Sequence, residues 1–228
     1  SNISQYDRPF AGYLYFEKTK EKYFENGEYT KKGWAAEIIG DFSLGEVTQI
    51  GYHKLLGFRK PLGWDSQIEN IYGVAYIWEN SPFYKNWNLS ENTDLDLRFV
   101  DELHLGNVML YGKISGLLRY GNINNPYEFK EKKNSKKLLN MDEYYLTIGS
   151  ILTAKVHDST LQGDIFNNES IFTADIYPLV WDNKAGFYAR WDDFAFYYDL
   201  IMESTDKRNL DWTDNSFRYH TLKFIFFR

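Results

Sequence analysis

The chain has 228 residues, a net charge of -6 and a sequence pI of about 5.3, so its overall charge gives no reason to expect nucleic-acid binding. It contains no cysteine, which excludes disulfides and thiolate metal sites. Charged residues make up 25% and aromatic residues 19% of the chain, and this composition argues against disorder. No apolar run approaches the roughly 18 residues that a membrane-spanning helix needs. We therefore expect residues 1–228 to form a single domain.

Alternation of apolar and polar residues with a period of two runs through most of the chain and predicts β-strands. Weak alternation predicts strands at about 10–18, 33–43, 71–79 and 94–104, and strong alternation predicts strands at about 107–121, 144–157, 177–191, 194–200 and 216–227. The resulting nine strands are in many cases longer than the five or six residues that are usual. The sequence therefore predicts an all-β protein.

Residues 45–57, GEVTQIGYHKLLG, depart from this pattern and predict a short helix between the second and third strands. Glu46, Gln49 and His53 follow one another at offsets of three and four, so they share one helical face. Two polar groups and a titratable base on one face make a candidate site. His53 is the candidate base, and Glu46 and Gln49 are the local groups that can orient its ring.

Two architectures fit the alternating strands: a soluble barrel or sandwich with its apolar face inward, or an outer-membrane β-barrel with its apolar face toward lipid. The strands reach the roughly 9–11 residues that cross a bilayer when tilted. Aromatic residues cluster near predicted strand ends, as at Tyr120, Tyr144, Trp181 and Trp191, which is typical of an interfacial girdle. The aromatic end of the chain, 224–227, resembles the assembly signal of bacterial outer-membrane barrels. The pattern therefore favours the transmembrane antiparallel β-barrel.

Four motifs occur in a characteristic order: DRPFAGYLYF at 7–16, LGEVTQIGYHKLLG at 44–57, PLGWDSQ at 61–67 and LGNVMLYGKISGLLRYG at 105–121. Together they resemble the outer-membrane lipid A 3′-O-deacylase family (LpxR-like). The resemblance implies a twelve-stranded barrel in the Gram-negative outer membrane. It also implies a calcium-dependent carboxylic ester hydrolase that removes ester-linked acyl chains from the lipid A of lipopolysaccharide, with His53 as general base.

Strand direction places the predicted helix relative to the membrane. A closing strand of this kind enters the membrane from outside and ends in the periplasm, so counting back puts the helix at 45–57 on the extracellular side. Nine is an odd number, whereas single-chain bacterial barrels have even numbers of strands. We therefore expect three N-terminal strands of the family's twelve to be lacking from residues 1–228.

Two features of the family have no counterpart here. The family's opening strands supply an Asn-Asp pair and a hydroxyl residue associated with calcium and the oxyanion, and no matching positions are found, so the metal ligands are unassigned. The family also places a carboxylate shortly after its histidine, whereas positions 54–64 contain no acid and carry Arg59 and Lys60 instead. Asp65 or Glu46 would have to substitute for it.

The leading functional hypothesis is an esterase in which His53 deprotonates a water that attacks the acyl carbonyl. A cation, with calcium implied by the resemblance, would stabilise the oxyanion. Lys54, Arg59 and Lys60 are placed to bind lipid A phosphates. The alternative is a non-catalytic barrel of the same fold that acts as a subunit or partner in an outer-membrane protein complex. A third hypothesis, an open pore, is disfavoured by the bulky interior residues Tyr111, Tyr188, Tyr197 and Arg190.

Overall fold

A computed structural model describes residues 9–123, 143–167, 169–191, 194–204 and 216–226, with Phe224 the only side chain described in the last segment. The strands are β1 (Tyr13–Tyr23), β2 (Tyr29–Ile39), β3 (Ile71–Ser90), β4 (Thr93–Gly106), β5 (Met109–Asn122), β6 (Glu143–Asp158), β7 (Leu179–Trp191), β8 (Phe194–Ser204) and β9 (Ser216–Phe226). The helices are α1 (Gly45–Leu56) and the single-turn α2 (Ser159–Gln162). Within these described segments, none of the helices is long and apolar enough to span a membrane.

The strands form one sheet in the order β1-β2-β3-β4-β5-β6-β7-β8-β9, and each strand pairs antiparallel with the next. Side chains from β1 through β8 line one cavity of about 320 Å³, including Glu21, Arg98, Tyr145 and Tyr197. The sheet therefore curls around an interior. We call the face that lines this interior the inner face, and the opposite one the outer face. The nine strands and the helix between β2 and β3 confirm the predicted elements.

Several predicted strand ends were wrong by three or four residues, as for β2, which spans Tyr29–Ile39 instead of 33–43, and the ends of β1 and β3 were wrong by more. β1 continues to Tyr23, beyond the predicted end near 18, because the segment EKTKEK is polar on both faces and gives no apolar alternation to detect. β3 continues to Ser90, beyond the predicted end near 79. Pro82 interrupts the pattern there, and it lies in a register shift between Asn80 and Phe83, where a missing backbone donor is tolerated.

The two faces of the sheet differ in the way that the alternation predicted. On β6, Tyr144, Leu146 and Ile148 are exposed on the outer face, whereas Tyr145 and Thr147 are buried on the inner face. The same exposed outer positions recur on other strands as Trp34, Val74, Leu103, Ile114, Trp181 and Trp191. An apolar outer face around a polar interior is the arrangement of a membrane barrel rather than of a soluble one.

Polar side chains fill the interior by pairing across strands. Asp96 on β4 is fully buried and accepts two hydrogen bonds from Arg119 on β5, one of them from Nε to Oδ1 at 2.8 Å. The Arg119 guanidinium lies 4.9 Å from the centre of the Tyr145 ring. Burying one of these charges without the other would be costly, so each residue of the pair requires the other in the interior.

The core at the α1 end of the sheet consists of Ile39, Ile68, Ile71 and Val108. These residues come from the end of β2, the loop before β3, the start of β3 and the turn between β4 and β5. The Ile68 amide donates to the Phe10 carbonyl at 2.8 Å, so the segment before β1 joins the same cluster. This core holds the two ends of the segment that carries α1.

Candidate functional site

Helix α1 lies in the connection between β2 and β3, at one end of the sheet, and ends at a glycine that reverses the chain. Gly57 has a φ of 71°, a left-handed conformation that costs glycine little and commonly terminates helices. The Phe58 amide then donates to the His53 carbonyl at 2.8 Å. This turn brings residues 58 and 59 back beside the His53 side chain.

His53 makes one hydrogen bond, which fixes its tautomer. Its Nδ1 lies 2.6 Å from the backbone carbonyl oxygen of Arg59. Because a carbonyl oxygen only accepts, Nδ1 carries the proton, and Nε2 of the neutral ring keeps its lone pair. The edge of Phe58 meets the imidazole, with ring centres 5.7 Å apart at 81°. The arrangement presents Nε2 as a proton acceptor.

Neither Glu46 nor Gln49 holds the imidazole by a hydrogen bond in the part of the chain that the structure describes. Gln49 Oε1 accepts a hydrogen bond from Trp64 Nε1 at 2.9 Å, and no hydrogen bond joins His53 to either residue in the described structure. Trp64 is buried and packs against Phe10, with ring centres 5.2 Å apart. Gln49 therefore attaches α1 to the loop before β3. The His53 ring, which Glu46 or Gln49 was predicted to orient, is instead oriented by the Arg59 backbone carbonyl.

Cationic and apolar side chains are exposed together around His53. Lys54, Arg59 and Lys60 are all exposed at the end of α1 and in the loop after it. The large apolar side chains exposed on α1 and this loop are Val47, Tyr52, Leu55, Leu56, Phe58 and Leu62. Soluble surfaces seldom expose so many apolar groups together. The surface suits a ligand that carries both anionic groups and hydrocarbon.

The described residues do not by themselves provide a metal site. No group of three or more His, Asp or Glu side chains in them lies close enough to hold a metal ion. Asp65 is exposed in the loop after α1 and Glu46 is half-buried on α1.

A contact between two loops at the α1 end of the sheet was not foreseen from the sequence. Glu69 Oε2 accepts from the Ser170 hydroxyl at 2.5 Å, and Glu69 Oε1 accepts from the Asp164 amide at 3.3 Å. These bonds join the loop after α1 to the segment between β6 and β7. Residues about 100 positions apart give no local signal of such a contact.

The first turn of α1 depends on a close approach between two glycines. A Cβ atom on Gly45 would lie 2.6 Å from Gly12 Cα, which is backbone and cannot move aside cheaply. A Cβ on Gly51, in the same helix, would meet nothing within 4 Å. We expect Gly45→Ala to displace α1 and to speed hydrogen exchange of its first amides, because the alanine Cβ must push the helix away from the Gly12 backbone.

The matched control is Gly51→Ala, which should stabilise the helix by about 1 kcal/mol because alanine is the better helix former. Hydrogen exchange of the α1 amides measures both effects. Unchanged exchange in Gly45→Ala would show that the glycine contact is not required.

The curled antiparallel sheet, its apolar outer face, its paired charges inside and the helix across one end define an outer-membrane β-barrel protein. A family model described as "Outer membrane protein LpxR" matches residues 1–222, and the chain belongs to this family. It is therefore an outer-membrane protein of the Gram-negative type.

A solved structure supports the fold. The protein titled "LpxR from Salmonella typhimurium" superposes with a TM-score of 0.77 at 20% sequence identity, covering 97% of this chain and 74% of that one. A search of curated protein sequences found no significant match.

Proposed function

We propose that this protein is a lipid A deacylase-like esterase of the outer membrane, with His53 as its general base. The observation that carries the proposal is the bond from His53 Nδ1 to the Arg59 carbonyl, which leaves Nε2 free to accept a proton. Membership of the LpxR family supports the same role.

The proposed reaction is ester hydrolysis in which His53 Nε2 acts first as a base and then as an acid. Nε2 takes a proton from a water molecule as the water oxygen adds to the acyl carbonyl carbon. The resulting imidazolium stays bound to the Arg59 carbonyl, which stabilises the added charge. The tetrahedral intermediate collapses by breaking the ester C–O bond, and Nε2–H returns the proton to the sugar oxygen. The products are a fatty acid and a free hydroxyl on the sugar.

The surroundings of His53 fit the two parts of lipid A. Lys54, Arg59 and Lys60 would pair with its phosphates, since ammonium and guanidinium groups form charge-assisted hydrogen bonds with phosphate oxygens. The exposed apolar side chains around them would contact acyl chains. On the extracellular side, where the direction of the strands predicts it, α1 would face the leaflet that holds lipopolysaccharide. Glu46 stays a predicted site residue, and Gln49 would position α1 through Trp64.

A non-catalytic role in an outer-membrane protein complex is the second candidate. It is favoured by Arg59, which stands where the family's carboxylate is expected. A protein of this kind would keep the barrel and the surface around α1 without turning over lipid A.

Mass spectrometry of lipid A separates the two candidates. Purified barrel is incubated with lipopolysaccharide in calcium and, separately, in excess EDTA. We expect loss of the mass of an ester-linked acyl chain, together with release of the matching fatty acid. Activity in calcium alone would support the implied cofactor, and unchanged lipid A in both conditions would support the non-catalytic role.

A further inference from the structure

The outer face of the β1–β2 hairpin carries an unusual set of charges. Its exposed outer-face lysines are Lys18, Lys20, Lys22 and Lys32. Lys20 lies directly opposite Lys32 in the β1–β2 register, although like charges in facing positions are destabilising. We call these four residues the lysine patch. Retaining such repulsion on a membrane barrel indicates that something anionic offsets it.

Charges on the inner face do not neutralise the patch. Glu17 and Glu21 alternate with the lysines and point to the opposite face, where Lys31 pairs with Glu17 at 2.9 Å. Within the described residues, Lys18, Lys20 and Lys32 form no ion pair, and Lys22 lies over the Phe24 ring at 4.9 Å. The adjoining turn contributes two carboxylates, Glu25 and Glu28, against four lysines. The patch therefore keeps a positive charge.

The order of side chains along the hairpin gives the depth of the patch in the membrane. On the outer face, apolar residues such as Phe16 and Val74 come first, counted from the α1 end. One level further along, Trp34 lies opposite Lys18, and beyond it Lys20 and Trp78 both lie opposite Lys32. Aromatic and lysine side chains that share the levels beyond the apolar ones are typical of the interface between the hydrocarbon and the headgroups of a bilayer.

The position of the lysine patch along the strands indicates which leaflet of the membrane it contacts. From Phe16 to Lys22 the chain advances by six residues, or about 20 Å at 3.3 Å per residue, away from the end that carries α1. Under the proposed function, α1 faces the outer, lipopolysaccharide-containing leaflet. The patch then lies at the headgroups of the opposite leaflet, which consists of glycerophospholipid. A lysine inside hydrocarbon would cost far more than one at this interface.

We propose that the lysine patch is a binding surface for anionic glycerophospholipid headgroups in the leaflet opposite α1. Each lysine ammonium pairs with headgroup phosphate, and this pairing offsets the repulsion between Lys20 and Lys32. The contact holds the short β1–β2 hairpin at a fixed depth in the membrane. It rests on the proposed function only for the choice of leaflet, and it does not require catalysis.

Lipid association of the reconstituted full chain tests this proposal. Vesicles of phosphatidylcholine receive spin-labelled phosphatidylglycerol or phosphatidylcholine, and electron paramagnetic resonance gives the relative association of each label with the protein. We expect wild type to prefer phosphatidylglycerol. Lys20→Gln/Lys32→Gln should reduce that preference by roughly fivefold for each lysine removed, and high salt should weaken it in wild type.

The control Lys31→Gln/Lys113→Gln removes the same charge from the inner face of the sheet, where these lysines pair with Glu17 and Glu102, and should keep the preference. Lys18→Gln/Lys22→Gln provides a second patch variant if the first does not fold. Equal association of both labels with wild type would overturn the proposal. So would a greater loss with labelled lipopolysaccharide than with phosphatidylglycerol, or abolition of the preference by soluble glycerol phosphate. None of these readouts depends on deacylation, so failure of the proposed function would be seen separately.

Discussion

Replacement of His53 by alanine is expected to lower lipid A deacylation by about 10²- to 10⁴-fold, the usual contribution of a general base. The physical reason is the loss of Nε2, whose lone pair is kept available by the bond from Nδ1 to the Arg59 carbonyl. Mass spectrometry of the lipid A product, quantified over time, measures the loss.

The control for His53→Ala is Gly51→Ala, which adds a methyl group on the same helix where no atom lies within 4 Å and leaves the His53 bond in place. Both variants should retain the heat-modifiable mobility of a folded barrel in gel electrophoresis. A His53→Ala barrel that folds and deacylates lipid A at the wild-type rate would remove His53 from the mechanism and return the assignment of the base to another residue.

Replacement of Arg119 by methionine is expected to destabilise the barrel by about 3–5 kcal/mol, because it leaves a buried carboxylate without its partner. Asp96 is fully buried and takes both of its strong hydrogen bonds from Arg119. Urea unfolding in lipid vesicles, followed by tryptophan fluorescence, gives the free energy of unfolding.

The double variant Asp96→Leu/Arg119→Met should recover most of this loss, since apolar residues of similar volume often replace a buried pair without cost. Glu17→Gln breaks the more exposed Lys31–Glu17 pair and should cost no more than about 1 kcal/mol. Equal losses of unfolding free energy in Arg119→Met and Glu17→Gln would show that burial does not determine how much the Asp96–Arg119 pair contributes to stability.

Several parts of the candidate site were within reach of the sequence. The helix over 45–57 and His53 on it followed from a break in strand periodicity, and the exposed cations Lys54, Arg59 and Lys60 followed from their proximity in sequence. The hydrogen-bond partner of His53 could not be predicted from the sequence, because the acceptor is the Arg59 backbone carbonyl, a group that every residue possesses. Trp64 was visible as part of PLGWDSQ, but its bond to Gln49 depends on how the loop folds back.

The sequence by itself determined that the chain forms long antiparallel strands with one apolar and one polar face, because side chains alternate between the faces of a strand with a period of two. It also determined the helix that interrupts them. Only the tertiary structure decided which polar residues pair inside, as with Asp96 and Arg119, since strand register sets those neighbours. It likewise showed β1 extending through EKTKEK, where charges occupy both faces and hydrogen bonding to β2, rather than hydrophobicity, maintains the strand.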